Sequence, residues 1–267
     1  MKTIGGSLFI RNAVKYDYCV EASILSLVNL CDEIVVLDCQ SDDGTQAILR
    51  NLASQYKQIK IYENITWNCA ENYDRLKILA NLGINFLKTD WHFMIQADEV
   101  LHEKSIPVLK SIANGDEVCA FLVRRPHIFG NMDHYIRHDL PTINKPASDY
   151  VIRFGRKNHL AVGDAESIWA PSVNTAFKEE IVMFHYGYVR KNSVCLTKAI
   201  DMQGWFNGVG SSVDQRLVQM QNGDGVFRPE AFFNWDQLAK LDLSHPLCAQ
   251  QWVNQRRSEH PFEPPRK

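Results

Sequence analysis

Residues 32–45, DEIVVLDCQSDDGT, decide the fold. Ile34, Val35, Val36 and Leu37 form an unbroken apolar run that ends on Asp38. A short continuous run rich in β-branched residues suits a strand buried on both faces of a parallel sheet. Ser41, Asp43 and Thr45 then offer turn and helix-start chemistry. Residues 44–56 place Ile48, Leu49, Leu52 and Tyr56 on one side of a helix. In open parallel sheets ligands sit beyond the carboxyl ends of the strands, and Asp38 falls at such an end. A carboxylate there suits a nucleobase N–H or a ribose hydroxyl. Turn and cap roles are sufficient for residues 43–45, but Asp38, closing an apolar strand, needs a partner.

The same alternation repeats outward. A strand at 7–11 leads to Asn12, and a helix at 20–30 carries Val20, Ile24, Leu27 and Val28 at helical spacing. A strand at 58–63, a helix at 71–88 and an apolar strand at 91–95 follow. Strand–helix repetition with short connections predicts an α/β fold whose mostly parallel sheet is flanked by helices. After residue 115 the pattern changes to strands at 117–123, 149–154 and 180–186. Between them, residues 125–147 contain Pro126, Pro141, Pro146, His127, His134 and His138, and predict a long loop or lid. Helices are expected at 193–205 and 213–220, and the Pro-rich, charged residues 261–267 are expected to be a disordered tail. The domain reading is 1–190 as one domain, with halves 1–115 and 116–190, and 191–267 as a mainly helical C-terminal extension.

Composition narrows the class. The 267 residues are 45% hydrophobic, enough for one large core. Lys+Arg number 29 against Asp+Glu 31, so no global basic field drives non-specific nucleic-acid binding. Seven scattered cysteines without a C-x-x-C pair argue for free thiols rather than a disulfide framework or a zinc knuckle. No run reaches bilayer length and the start lacks a signal-peptide core, so a cytoplasmic location is expected.

Two further segments carry chemistry. Gln96-Ala97-Asp98-Glu99 follows the apolar strand at 91–95, and acids at a strand end can hold a hard divalent cation that bridges diphosphate oxygens. Equally, they suit the favourable dipole end of a helix. His185-Tyr186-Gly187-Tyr188 follows the apolar run 181–184; a lone His there is more often structural than a ligand, and Gly187 permits a tight turn.

Taken together, these segments resemble family 2 glycosyltransferases, in particular the soluble bacterial and phage branch that includes lipopolysaccharide-core β-glucosyltransferases. Residues 32–45 resemble the family's nucleotide-binding signature. Arg11-Asn12 resembles the pair closing its first strand, Trp67 and Glu71-Asn72 its stretch before the third long helix, QADEVL at 96–101 its Asp-Ala-Asp-Glu motif, and His185–Tyr188 its late His-Tyr-Gly-Tyr. Order and spacing agree over about residues 5–190.

The resemblance implies a glycosyltransferase-A fold. It implies donor contacts from Asn12, Asp38, Ser41, Asp43, Arg75, Gln96 and Ala97, with Asp38 on the uracil or other base. It implies metal ligation by Asp98 and His185, with Mn²⁺ favoured over Mg²⁺ if the imidazole binds. Gln96 replaces the first acid of the usual pair, and Cys39 stands where an Asp or a small residue is common. The reaction implied is an inverting transfer from a nucleotide-diphosphate sugar, a UDP-sugar favoured, to a hydroxyl acceptor. A carboxylate deprotonates the acceptor. Residues 161–167 resemble the Gly-x-x-His-Glu segment with Ala165 in place of His, which makes Glu166 the candidate base and Asp164 the second choice. Arg153 and Arg156 suit a diphosphate. A non-catalytic sugar-binding module of the same fold and a nucleotidyltransferase remain as rivals. The acceptor, whether glycan, nucleic acid or another hydroxyl compound, is open, with residues 124–137 and 252–257 as aromatic and basic candidates.

Overall fold

The computed structural model describes residues 1–69, 72–129, 132–137, 149–205 and 235–259. The first half runs β1 (Ile4–Ile10), α1 (Val20–Val28), β2 (Glu33–Asp38), α2 (Thr45–Gln55), β3 (Ile59–Tyr62), α3 (Asn72–Phe86) and β4 (Trp91–Met94). Its four strands are parallel in the order β4-β1-β2-β3. Every residue of β2 is buried, as its apolar run requires. The pleat sends alternate residues to opposite layers. Ile34 and Val36 pack with Ile24 and Leu27 of α1, whereas Val35 and Leu37 pack with Trp67 and Leu79 on the α3 side. Fully burying each such side chain is worth about 1.5–3 kcal/mol.

β1 begins three residues before the expected start. Gly5 and Gly6 are strand residues because a Cβ on Gly5 would lie 2.5 Å from Thr89 Oγ1, and one on Gly6 2.7 Å from Leu27 Cδ1. The α3–β4 connection can therefore pack closely against Gly5 and helix α1 against Gly6.

The chain continues through β5 (Glu99–Leu101), α4 (Ser105–Asn114), β6 (Ala120–Arg124), β7 (His127–Phe129), β8 (His134–Ile136) and β9 (Tyr150–Arg156). β10 (Ala161–Val162), β11 (Ser167–Ile168), β12 (Val173–Asn174), β13 (Met183–Tyr188), α5 (Asn192–Trp205), β14 (Leu238–Lys240) and α6 (Gln250–Glu259) follow. β9 pairs antiparallel with β4 and carries β6 and β12, completing a seven-stranded sheet β12-β6-β9-β4-β1-β2-β3. A second sheet has the order β14-β8-β7-β13-β5. The fold is thus the expected glycosyltransferase-A type, a mostly parallel sheet flanked by helices.

Residues 125–129 and 132–137 depart from the expected lid. They form β7 and β8, an antiparallel pair in the second sheet, with Ile128, Phe129 and Ile136 buried. The prolines hid a strand whose apolar residues outweigh them. The rest of that lid, His138 included, lies outside the described residues, as do the helix expected at 213–220, Glu71 and the tail at 261–267. Where described, residues 191–259 are mainly helical, but β14 pairs with β8, and Ala249 and Val253 pack against the Phe184 and Tyr186 layer. Of its described parts, β14 joins the second sheet and α6 packs against it. All seven cysteines, each among the described residues, are free.

Candidate active site

The carboxyl ends of β1, β2 and β4 meet at one edge. The loops that follow β1 and β2 are stitched together by the residues that looked most like ligands. Asn12, at φ 53°, accepts the Asp42 amide through its side-chain oxygen at 2.9 Å, and its own N–H donates to Ser41 Oγ at 2.9 Å. Asp43 accepts from Thr45 N–H (3.1 Å), Thr45 Oγ1 (2.6 Å) and the Lys15 amide (2.6 Å). Thr45 Oγ1 in turn accepts from the Ala13 amide at 2.7 Å. Gly44, at φ 94°, makes the left-handed entry into α2. Asp38 is completely buried and accepts from Gln46 Nε2 at 2.8 Å and, more weakly, from the Ser41 amide at 3.4 Å. The partner its strand-end position demanded is therefore Gln46, the second residue of α2.

A cavity of about 210 Å³ opens beside these loops. Arg11, Trp67 and Leu76 form one wall, and Gln96, Ala97 and Asp98, from the end of β4, form the floor. Tyr18 and Lys198 close another side, and Asp164 and Glu166 face in from the β10–β11 turn. The guanidinium groups of Arg11 and Arg75 lie 5.5 and 5.2 Å from the Trp67 ring centre, and of these two only Arg11 lines the cavity. Asn12, Asp38, Ser41, Asp43 and Arg75 do not line this cavity; Gln96, Ala97, Asp98, Asp164 and Glu166 do.

The two acids expected as a pair separate. Glu99, fully buried in β5, accepts from Arg153 at 2.7 Å, from Arg125 at 3.2 Å and from the Gln96 amide at 2.8 Å. It orders the motif from behind. Arg153, which suited a diphosphate in the sequence, is consumed in this pair, and Arg156 stacks 4.3 Å over Trp91 and donates to the Glu117 carbonyl.

Asp98 faces the cavity. It forms an ion pair with Arg190, and Lys198 Nζ and His185 Nε2 lie 3.7 and 3.8 Å from its Oδ2. Burial opposes ionisation of Asp98, but Lys198, His185 and Arg190 together outweigh it and hold its carboxyl well below the usual range. Burial pushes the His185 imidazole down to about 3, against the opposing pull of Asp98. It is thus neutral near pH 7. Its Nδ1 lies 2.8 Å from Nδ1 of His127 on the neighbouring strand β7. Gly187 makes no turn here. It is a strand residue whose missing Cβ leaves room for the His185 ring.

Glu166 reaches the cavity on a turn shaped by positive φ at Gly163 (59°) and Ala165 (65°). Arg125 Nη2 holds it at 3.2 Å. Burial, then the Glu166 charge, raises the Asp164 carboxyl. Tyr18, Arg190, Lys198 and the positioning role of Arg125 escaped the sequence reading. Arg190 follows His185 by five residues and was within reach of it, whereas Lys198 carries no local signal because only the placement of α5 brings it in.

Such a sheet, with an acidic strand end opening on a cavity lined by charged and aromatic residues, defines the class of nucleotide-sugar-dependent glycosyltransferases of glycosyltransferase-A type. The model of the glycosyl transferase family 2 matches residues 18–170, more than half the chain. The chain belongs to that family and is a glycosyltransferase. No curated protein matches it in sequence. Among solved structures, residues 1–349 of S. aureus TarS share 14% identity at a TM-score of 0.47, covering 95% of this chain and 78% of that one. The same TarS fragment in complex with UDP aligns at 0.44 with 14% identity and the same coverage. Glucosyl-3-phosphoglycerate synthase from Mycobacterium tuberculosis, in complex with Mn²⁺, UDP-glucose and phosphoglyceric acid, aligns at 0.34 with 20% identity over 47% of this chain and 44% of that one. Among the described residues no helix is long and apolar enough to cross a membrane.

Proposed function

We propose that this chain transfers a hexose from a UDP-sugar to an acceptor hydroxyl with inversion, in the manner of the soluble lipopolysaccharide-core-type branch. The observation that carries this reading is one cavity with Asp98 on its floor and Asp164 and Glu166 at its side. Arg11 and Trp67 offer a flat, cationic wall to the nucleotide, and Arg75 supports the Trp67 ring. Asn12, Asp38, Ser41 and Asp43 shape the donor loop from beneath, and Gln96 and Ala97 support the ribose.

The donor chemistry fits a divalent cation, Mn²⁺ rather than Mg²⁺. A buried carboxylate and a neutral imidazole face each other, and His127 fixes the ring. Among the described residues no cluster of three His, Cys, Asp or Glu side chains completes a protein-held site. The set therefore suits a cation shared with a diphosphate. Bound there, it would supply positive charge against the leaving diphosphate. Glu166, oriented by Arg125, takes the proton from the acceptor oxygen. Asp164 is the second candidate, because its raised affinity for protons suits a base.

A thermal-shift panel of UDP-, GDP- and CMP-sugars with and without Mn²⁺ tests the donor. At a hundredfold excess over Kd the correct donor stabilises by about 2.7 kcal/mol. Asp98→Ala should abolish the metal-dependent part, and an undiminished shift would remove Asp98 from the site. Glu166→Gln should keep donor binding and lose transfer, while full transfer there with loss in Asp164→Asn would move the base to Asp164.

A further inference from the structure

We propose that Lys198 of α5 exchanges the Asp98 carboxylate for the donor diphosphate when a divalent cation enters, which couples cation and nucleotide binding through one ammonium group. The inference rests on the Asp98–His185 cation reading above. Three groups converge on Asp98, and they are not equivalent. The Arg190 side chain is 2% exposed, hydrogen-bonded to Asp98 and stacked 4.6 Å from the Tyr18 ring centre. Its one positive charge already matches the one negative charge of the carboxylate. Lys198 is 22% exposed, lies 3.7 Å away, too far for a hydrogen bond, and sits 4.9 Å from the same ring. It is a second cation on a carboxylate already matched, so surplus positive charge faces the cavity it lines.

A divalent cation on Asp98 and His185 adds like charge beside that ammonium. The lysine stem is long and flexible, and its three donors turn freely. The cavity, where diphosphate oxygens would sit, is the direction open to it. The helix itself need not move. Asp201, three residues further along α5, accepts from Lys15 Nζ and Tyr16 Oη, each at 2.7 Å. Lys15 is in turn fixed through its amide to Asp43 in the donor loop. α5 is thus anchored to the nucleotide half while the Lys198 head trades partners.

Before nucleotide arrives Lys198 competes with the cation; afterwards it binds phosphate. Replacing it therefore moves the two affinities in opposite directions, whereas a general loss of structure moves both down. Wild type, Lys198→Met, Lys198→Gln and Asp98→Asn, all full chain, are titrated with Mn²⁺ alone, followed by electron paramagnetic resonance of the free ion. UDP is then titrated at saturating Mn²⁺ by calorimetry. Lys198→Met and Lys198→Gln should bind Mn²⁺ alone roughly fivefold or more tighter, and UDP weaker by a similar factor. If either folded variant binds Mn²⁺ no tighter than wild type while Asp98→Asn loses it, the exchange is wrong and the cation reading stands. If wild type binds no Mn²⁺ even with UDP present, or Asp98→Asn retains it in full, the cation reading is overturned and the exchange with it.

Discussion

Glu99 and Asp98 are neighbours with opposite duties. Glu99 has no exposed surface, and two buried arginines share its Oε1. Removing one partner of such a network strands charge in a low-dielectric interior. Glu99→Gln should cost about 3–5 kcal/mol in urea denaturation. A loss below about 1 kcal/mol would mean that water reaches the two guanidinium groups. The same substitution loosens Arg125 and hence Glu166. At this scale the acidic residues of residues 96–99 were legible, but their division of labour was not. Asp98 ends the turn after β4 and Glu99 opens β5, and the sequence does not say which side of that junction holds the arginines. Asp38 and Asp43 teach the converse. Their position in the motif was evident, and so was the local cap that Asp43 makes with Thr45, whereas the bond from the Lys15 amide to Asp43 emerges only when two loops meet.

Among the elements, β13 positions the site most directly. Its parallel pairing with β7 brings His127 beside His185, and its antiparallel pairing with β5 sets His185 opposite Glu99. Gly187 matters because any Cβ there would overlap the His185 ring. Gly187→Ala should turn the imidazole away from Asp98. Supporting residues of this kind typically change metal affinity about 10–100-fold. Mn²⁺-dependent donor binding should fall within that range while the melting temperature changes little, and unaltered binding would show that the ring has another place to go. The strands and helices of the first half were readable because each carries its own periodicity. β7 and β8 were not, since three-residue strands between prolines have too few positions to display a period.

Across the whole molecule, buried neutral histidines tie stability to pH. Burial pushes His92 and His245 down to about 4, although each also has a backbone carbonyl partner that favours the charged form. An unfolded histidine takes up a proton near pH 6.5, which the folded chain refuses until about pH 4. The unfolded state then binds more protons, so stability falls as pH drops through that window, by up to about 1.4 kcal/mol per pH unit for each group. Asp98 acts lower. Its depressed carboxyl contributes stability that is present above about pH 3.9 and lost only beneath it. Melting temperatures measured between pH 8 and 4 should therefore decline below about 6.5. A flat profile down to pH 4.5 would show that these rings are hydrated or already charged.

By itself the sequence determined the parallel α/β half, because hydrophobic periodicity and turn chemistry are local and β2 admits burial only on both faces. It also determined the family's motifs and hence the edge on which the site lies. The tertiary structure decided which acids reach the cavity, that His127 backs His185, and that Arg190 and Lys198 gather on Asp98. Those are contacts between residues up to 100 positions apart. They depend on strand order, on the side to which each strand turns a residue and on where α5 docks, none of which has a local signature.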